Sequence, residues 1–122
     1  MMAEAIAWPL DLSLNPEKTI LTVSFDDGAV FMLEAELLRV ESPSAEIQGH
    51  AADQKVTPGG KRHVTITGIE PVGNYAVRII FSDGHDTGLF TWEILHRYGR
   101  EKTRLMDDYL ARLADQGLSR DG

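Results

Sequence analysis

The side chains that could do chemistry at neutral pH are four histidines (His50, His63, His85 and His96) and the acids around them; there is no cysteine. His85 stands closest to a ligand pattern. Asp83 and Asp86 flank it, and mixed imidazole and carboxylate donors suit zinc or iron(II). The commoner role for such acids beside an Asp-Gly pair is to bond backbone amides and shape the turn. His63 opens a β-prone run and His96 lies beside Arg97 in a helical stretch, so surface or packing roles suit both. Asp26 and Asp27 share a hairpin tip, where solvent keeps carboxylates ordinary and unsuited to acid–base work. Ser42 and Ser44 have no base near them in sequence and no nucleophile-elbow context. Gly59-Gly60-Lys61 lacks the strand–loop–helix frame of a phosphate loop. Trp92 and Tyr98 read as core anchors. Enzyme chemistry therefore has little support.

Composition narrows the field further. Twelve basic against nineteen acidic residues give a net charge of −7 over 122 residues, with 43% hydrophobic and 25% charged residues. That is the profile of one globular domain, large enough for a single core. Without cysteine there is no disulfide framework, thiolate nucleophile or thiolate metal site. A pI near 4.9 argues against nucleic acid, which needs a basic stripe. No signal-like leader or long apolar run is present, so a cytoplasmic protein without membrane association is expected. Charge is uneven: from His96 onward the chain carries +1, and everything before carries −8. The plain reading of that tail is a solvated helix of mixed charge. The sharper one is a docking face for an acidic partner, formed by Arg97, Arg100 and Arg104.

The elements that must position these residues follow from periodicity. Residues 1–18 read as a leader strand or ordered arm. Thr19–Phe25 and Ala29–Leu33 alternate around Asp26-Asp27-Gly28, which predicts a hairpin with a type I′ turn. Glu34–Val40 switches to helical spacing. Glu41–Arg62 is irregular, a long loop of the sort that is functional or mobile. His63–Ile69 and Tyr75–Phe81 predict a second hairpin, with 85–90 adding a short edge strand. Thr91 is a suitable N-cap for a helix over 92–98 ending at Gly99, and a second helix runs from 103 or 104 to 116. Residues 118–122 are expected to fray, and no internal repeat is evident. Two hairpins followed by helices predict an α+β domain over 19–117, a small, mostly antiparallel sheet with helices on one face.

Two strings carry a resemblance. Leu38-Arg39-x-x-Ser42-Pro43-Ser44-Ala45-Glu46-x-x-Gly49-His50 is the first. The second runs Val72-Gly73-Asn74-Tyr75-Ala76-Val77-Arg78-Ile79-x-Phe81-x-Asp83-Gly84-His85-x-x-Gly88-Leu89-Phe90-x-Trp92-x-x-Leu95. In this order they resemble the γ-butyrobetaine hydroxylase-like N-terminal domain, a family long catalogued as of unknown function, over about Ile20 to Leu113. The resemblance implies three settings. The domain precedes an iron- and 2-oxoglutarate-dependent catalytic domain in carnitine-pathway dioxygenases. It is appended to some P-loop carrier ATPases of iron–sulfur cluster assembly, and it stands alone in many bacteria.

In the dioxygenases the domain holds a structural zinc through three cysteines and one histidine. The histidine matches His85, and the cysteines fall where this chain has Ser42-Pro43-Ser44-Ala45-Glu46. Serine hydroxyls stay protonated near neutral pH and are poor zinc ligands, so loss of the zinc is implied. A substitute zinc or iron site would draw on His85, His50 and Glu46, with Asp83 or Asp86. Without metal, Arg39 or Arg78 is expected to pair with Glu46, and Ser42 and Ser44 to bond local amides. The expected function is a non-catalytic accessory or interaction domain linked to iron or iron–sulfur protein maturation, binding another protein and no certain cofactor. The alternative is a weak iron- or zinc-binding module centred on His85.

Overall fold

The computed structural model describes residues 7–49 and 55–121; His50 lies outside them. The chain runs β1 (Pro9–Leu14), β2 (Ile20–Phe25), β3 (Val30–Glu34), α1 (Ala35–Val40), α2 (Ala45–Gln48), β4 (Ile66–Val72), β5 (Ala76–Phe81), β6 (Leu89–Thr91) and α3 (Trp92–Asp115). This is the expected α+β class. The strands divide into two three-stranded antiparallel sheets, β1-β2-β3 and β4-β5-β6, where a single sheet was expected. Period-two alternation is visible in β2, where Leu21, Val23 and Phe25 are buried and Thr22 and Ser24 only half so. Pro71, expected in a turn, sits inside β4. It is tolerated there because β4 is an edge strand, where a missing N–H breaks no ladder.

A repeat does exist, and it is one of geometry. Each sheet is followed directly by a helix, so a strand–strand–strand–helix unit occurs twice, its helices starting at Ala35 and Trp92. In both units the first pair of strands carries a register shift at the same place, between Pro9 and Asp11 and between Ile66 and Gly68. Both second turns read Phe-x-Asp-Gly. Phe25 N–H bonds Ala29 carbonyl at 2.8 Å and Gly28 N–H bonds Phe25 carbonyl; Phe81 with His85 and Gly84 with Phe81 repeat the pattern. These are three-residue loops closed by a left-handed glycine, at φ +89° for Gly28 and +91° for Gly84. The predicted type I′ turn is thus corrected, because only the glycine takes positive φ. Few side chains are identical between the units, which is why the repeat escapes a sequence reading.

The units share one core. Leu21, Val23, Phe25, Leu33 and Leu38 from the first pack with Ile66, Ile79, Phe81, Phe90 and Leu95 from the second. Each such side chain contributes roughly 1.5–3 kcal/mol on burial. The two helices expected beyond Thr91 are one continuous α3. Gly99 does not end it. The Phe31 ring lies against its Cα so closely that a Cβ would stand 2.2 Å from the ring, and close packing is what requires glycine there. The second half of α3 closes a small cluster of Val40, Tyr109 and Leu113 over α1.

Residues 118–121 of the expected frayed tail lie against the 60–62 segment, and Gly122 falls outside the described residues. Gly60 N–H bonds Ser119 carbonyl at 2.8 Å and Arg62 N–H bonds Arg120 carbonyl at 3.1 Å. Arg120 clamps the buried Glu36 carboxylate with two hydrogen bonds, at 2.8 and 2.5 Å. An isolated buried carboxylate is costly, so this pairing holds the tail in place.

Candidate functional site

The two elements that position the site are the end of α1 and the Phe81–His85 turn. Past α1 the chain buries Ser42 completely. Ser44 then serves as N-cap of α2, its hydroxyl accepting from Glu46 N–H at 3.2 Å. Across from them, the Asp83 carboxylate accepts from His85 N–H at 3.1 Å and helps fix the turn. The turn delivers the buried His85 ring to Ser42, with Nε2 2.9 Å from the hydroxyl oxygen. Ser42 Oγ also accepts from Ser44 N–H at 3.3 Å. Gly88 makes room, since a Cβ there would stand 2.3 Å from Ser42 Oγ.

A second chain of hydroxyls runs alongside. Thr87 Oγ1 donates to Glu46 Oε1. Its single proton thus used, it accepts from Ser44, whose hydroxyl lies 2.7 Å away. Glu46 Oε1 stands 3.9 Å from His85 Nδ1, an ion-pair distance too long for a hydrogen bond. The expected bonds from Ser42 and Ser44 to local amides are present. Neither arginine pairs with Glu46. Arg39 Nε and Lys61 Nζ both bond Asp83 Oδ2, at 2.7 and 2.6 Å. Arg78 bonds Glu70 and reaches Asp86 at 3.5 Å. Asp83 lies 44 residues from Arg39, out of reach of local pattern, whereas Glu70 stands directly opposite Arg78 across the β4–β5 pair.

Electrostatics follow this geometry. Burial, helped by the Arg39 charge, lowers the His85 pKa against the pull of Glu46, Asp83 and Asp86, so the ring is neutral at pH 7. The Thr87 hydrogen bond lowers the Glu46 carboxyl, with help from His85 and Arg39. Partial burial would raise Asp83, but bonds from Lys61, the His85 amide and Arg39 outweigh it and hold Asp83 at about 2. One donor is left over: Arg39 Nη1 is buried without a hydrogen-bond partner among the described residues.

Three chemistries can be tested against this arrangement. Ser42, His85 and Glu46 stand in the order of a hydrolase triad, and the base that the sequence did not place beside Ser42 comes from 43 residues away. Ser42 is 0% exposed, however, so no substrate carbonyl reaches it. For zinc, Ser42 and Ser44 offer protonated hydroxyls, Asp83 is engaged by two cations, and Asp86 is held by Arg78. Among the described residues no three His, Asp or Glu side chains come together as a metal cluster. These donors do not fit the tetrahedral thiolate–imidazole site that the family resemblance implies. A structural brace is the remaining reading. The cluster ties α2 and the 41–49 segment to the second sheet.

Beside this cluster lies a groove of about 390 Å³ between α3 and the 41–48 segment with Lys55, lined in part by Pro43, Lys55, Ile94, Arg97, Arg104 and Leu105. The three arginines expected to form one face are divided. Arg97 and Arg104 line the groove, whereas Arg100 Nε donates to His96 Nδ1 at 3.1 Å. His96 in turn gives its Nε2 proton to Asp27 at 2.8 Å, so Arg100 belongs to the first unit's turn. His63 is exposed, as expected.

An α+β domain with a hydrogen-bonded Ser42–His85 brace is the class this geometry defines. The family model for the γ-butyrobetaine hydroxylase-like N-terminal domain matches residues 12–96. The chain belongs to that family. Two NMR solution structures are similar at 44% and 43% identity, with TM-scores of 0.83 and 0.82; the matches cover 96% and 98% of this chain and 92% and 90% of theirs. A crystal structure of a protein of unknown function from Acidithiobacillus ferrooxidans, of the DUF971 family, is 40% identical. Its TM-score is 0.60, over 73% of this chain and 89% of its own. No curated protein matches the chain. Among the described residues no helix is long and apolar enough to cross a membrane.

Proposed function

We propose that this chain is a non-catalytic accessory domain that acts by binding another protein, in the setting of iron or iron–sulfur protein maturation that its family implies. The observation that carries the reading is the buried, internally hydrogen-bonded state of the Ser42–His85 cluster. The side chains with chemical potential are spent on bracing, which leaves the surface for recognition. The groove lined by Arg97 and Arg104 supplies a surface of sign opposite to the chain's net charge. Quantitative co-purification from native extract tests this with three baits: wild type, Arg97→Glu/Arg104→Glu and His85→Ala. The expected outcome is an iron–sulfur assembly protein or an iron-dependent enzyme retained by wild type and lost with the charge-reversed bait. Identical recoveries from wild type and the charge-reversed bait would rule out the arginine face, and the absence of any such partner would remove the iron setting.

One observation favours the alternative of a weak zinc or iron module at His85. Its imidazole is held neutral, the form that ligates, with the Glu46 carboxylate 3.9 Å away. Calorimetric titration of untagged protein with zinc chloride separates the two. Saturable binding abolished by His85→Ala supports the module, and flat titrations leave the accessory reading.

A further inference from the structure

The groove that α3 forms with Glu41, Pro43, Gln48 and Lys55 has features that the brace does not use. Ile94, Leu105 and Pro43 contribute apolar surface to its lining, and Arg97, Arg104 and Lys55 contribute three cations beside the acids Glu41 and Glu101. These charges differ in how firmly they are held. Lys55 bonds Glu41 at 2.7 Å and Arg112 bonds the other Glu41 oxygen at 3.1 Å, so this buried carboxylate is neutralised twice. Arg104 shares its charge between Glu101 and Asp108. Arg97 has no carboxylate within ion-pair distance among the described residues; its guanidinium only lies 5.3 Å from the Tyr98 ring. Counting Lys55, Arg97, Arg104 and Arg112 against Glu41, Glu101 and Asp108 leaves the groove positive by one, on a chain of −7.

We infer that this groove is a docking site for an acidic peptide segment of a partner protein, which seats one apolar side chain against Ile94 and Leu105 and sets carboxylates on Arg97 and Arg104. The inference rests on the accessory-domain reading and specifies its partner. Charge complementarity selects the occupant. A cationic or uncharged segment leaves the free Arg97 unanswered, while an acidic one gains charge-assisted bonds in a partly desolvated channel. The volume of about 390 Å³ suits one or two side chains and not a folded domain, so an extended segment is the matching shape. Glu41 and Glu101 in the lining also distinguish this site from a nucleic-acid groove, which needs a continuous basic stripe.

Amide shifts of the isotope-labelled full chain, titrated with the acetylated peptide Asp-Glu-Leu-Asp-Glu, test the inference. Shifts should centre on residues 94–105 and on 48 and 55. Arg97→Glu/Arg104→Glu should weaken binding by about tenfold or more, and Arg100→Glu by less than about twofold, because Arg100 faces His96. Glu101→Gln should tighten binding by about two- to threefold, a gain that no folding defect imitates. Replacing the peptide's Leu by Gly should weaken it about threefold or more. Four results would overturn the inference: no shifts in the groove at millimolar peptide, equal losses for Arg100→Glu and the double variant, no effect of Glu101→Gln, or equal binding of the Gly peptide or of a single-stranded DNA of the same charge. If the peptide fails while the charge-reversed bait still loses its partner from extract, the groove assignment falls and the accessory reading stands. If both fail, both fall.

Discussion

The two Phe-x-Asp-Gly turns are built alike and are used differently. In each, the aspartate Oδ1 accepts the amide two residues on: Asp27 with Ala29 at 2.9 Å, Asp83 with His85 at 3.1 Å. Each Oδ2 then reaches the helix of the opposite unit, Asp27 to His96 on α3 and Asp83 to Arg39 on α1. Contacts between the third-strand region of one unit and the helix region of the other are reciprocal as well. Phe31 of the first unit presses on Gly99 of α3, while Gly88 of the second leaves space for Ser42 beyond α1. One side is filled by a ring, with Phe25, Phe31 and His96 in edge-to-face contact. The other is filled by hydroxyls and one imidazole. A single backbone device thus yields an apolar clamp at one end and a polar brace at the other, and a large–small exchange across the contact decides which.

The comparison breaks most readily at the glycines. Gly99→Ala would place a methyl 2.2 Å from the Phe31 ring. A loss of about 2–3 kcal/mol in urea unfolding is expected, and Phe31→Leu in the same chain should recover part of it. Gly88→Ala should cost about 1–3 kcal/mol and be eased by Ser42→Gly. Additive losses in both pairs would mean that the reciprocal contacts do not govern packing. The brace is comparable in size. His85→Ala leaves a cavity and an unpaired Ser42 hydroxyl and should cost about 2–3 kcal/mol. Glu46→Ala, on an exposed side chain, should change stability by less than about 0.5 kcal/mol.

Acid sharpens the contrast between the turns. Asp83 titrates near 2 in the folded chain against 3.8 as its ordinary value. Its contribution is fully present above pH 3.8 and is lost as pH falls toward 2. Solvent screening leaves it on the order of 1 kcal/mol. His85 is lowered too, so its neutral-state contribution is present above pH 6.5 and declines as pH falls below that. Asp83→Asn should flatten the acid limb of the stability curve between pH 4 and 2, and His85→Phe the limb that begins near 6.5. A wild-type profile level from pH 7 to 5 would contradict the His85 assignment.

The sequence revealed local order well and reciprocal contacts poorly. Alternation in 20–25, the Asp-Gly turns, the α1 span and the Thr91 cap were legible because each depends on neighbours a few residues away. Thr91 Oγ1 indeed accepts from Ile94 N–H at 3.1 Å. Gly99 read as a helix end because its reason, the Phe31 ring, lies 68 residues back. The Ser42–His85 bond and the pairing of Arg39 with Asp83 span about forty residues each, beyond any periodicity. The docked tail depended on Glu36 being buried, and no local signal marks a buried carboxylate in an amphipathic helix. His85 stood out by its turn, but its use as a brace depended on Gly88 admitting Ser42.

The central claim is that hydrogen bonds, and no metal, hold Ser42, Ser44 and His85 together. Elemental analysis of untagged, purified full chain, with His85→Ala alongside, tests it most directly. The account predicts zinc and iron well below one per chain in both samples. It further predicts that wild type keeps its melting temperature in the presence of a chelator. One zinc or iron per chain in the wild type, absent from His85→Ala and removed by chelator with a fall in melting temperature, would contradict it.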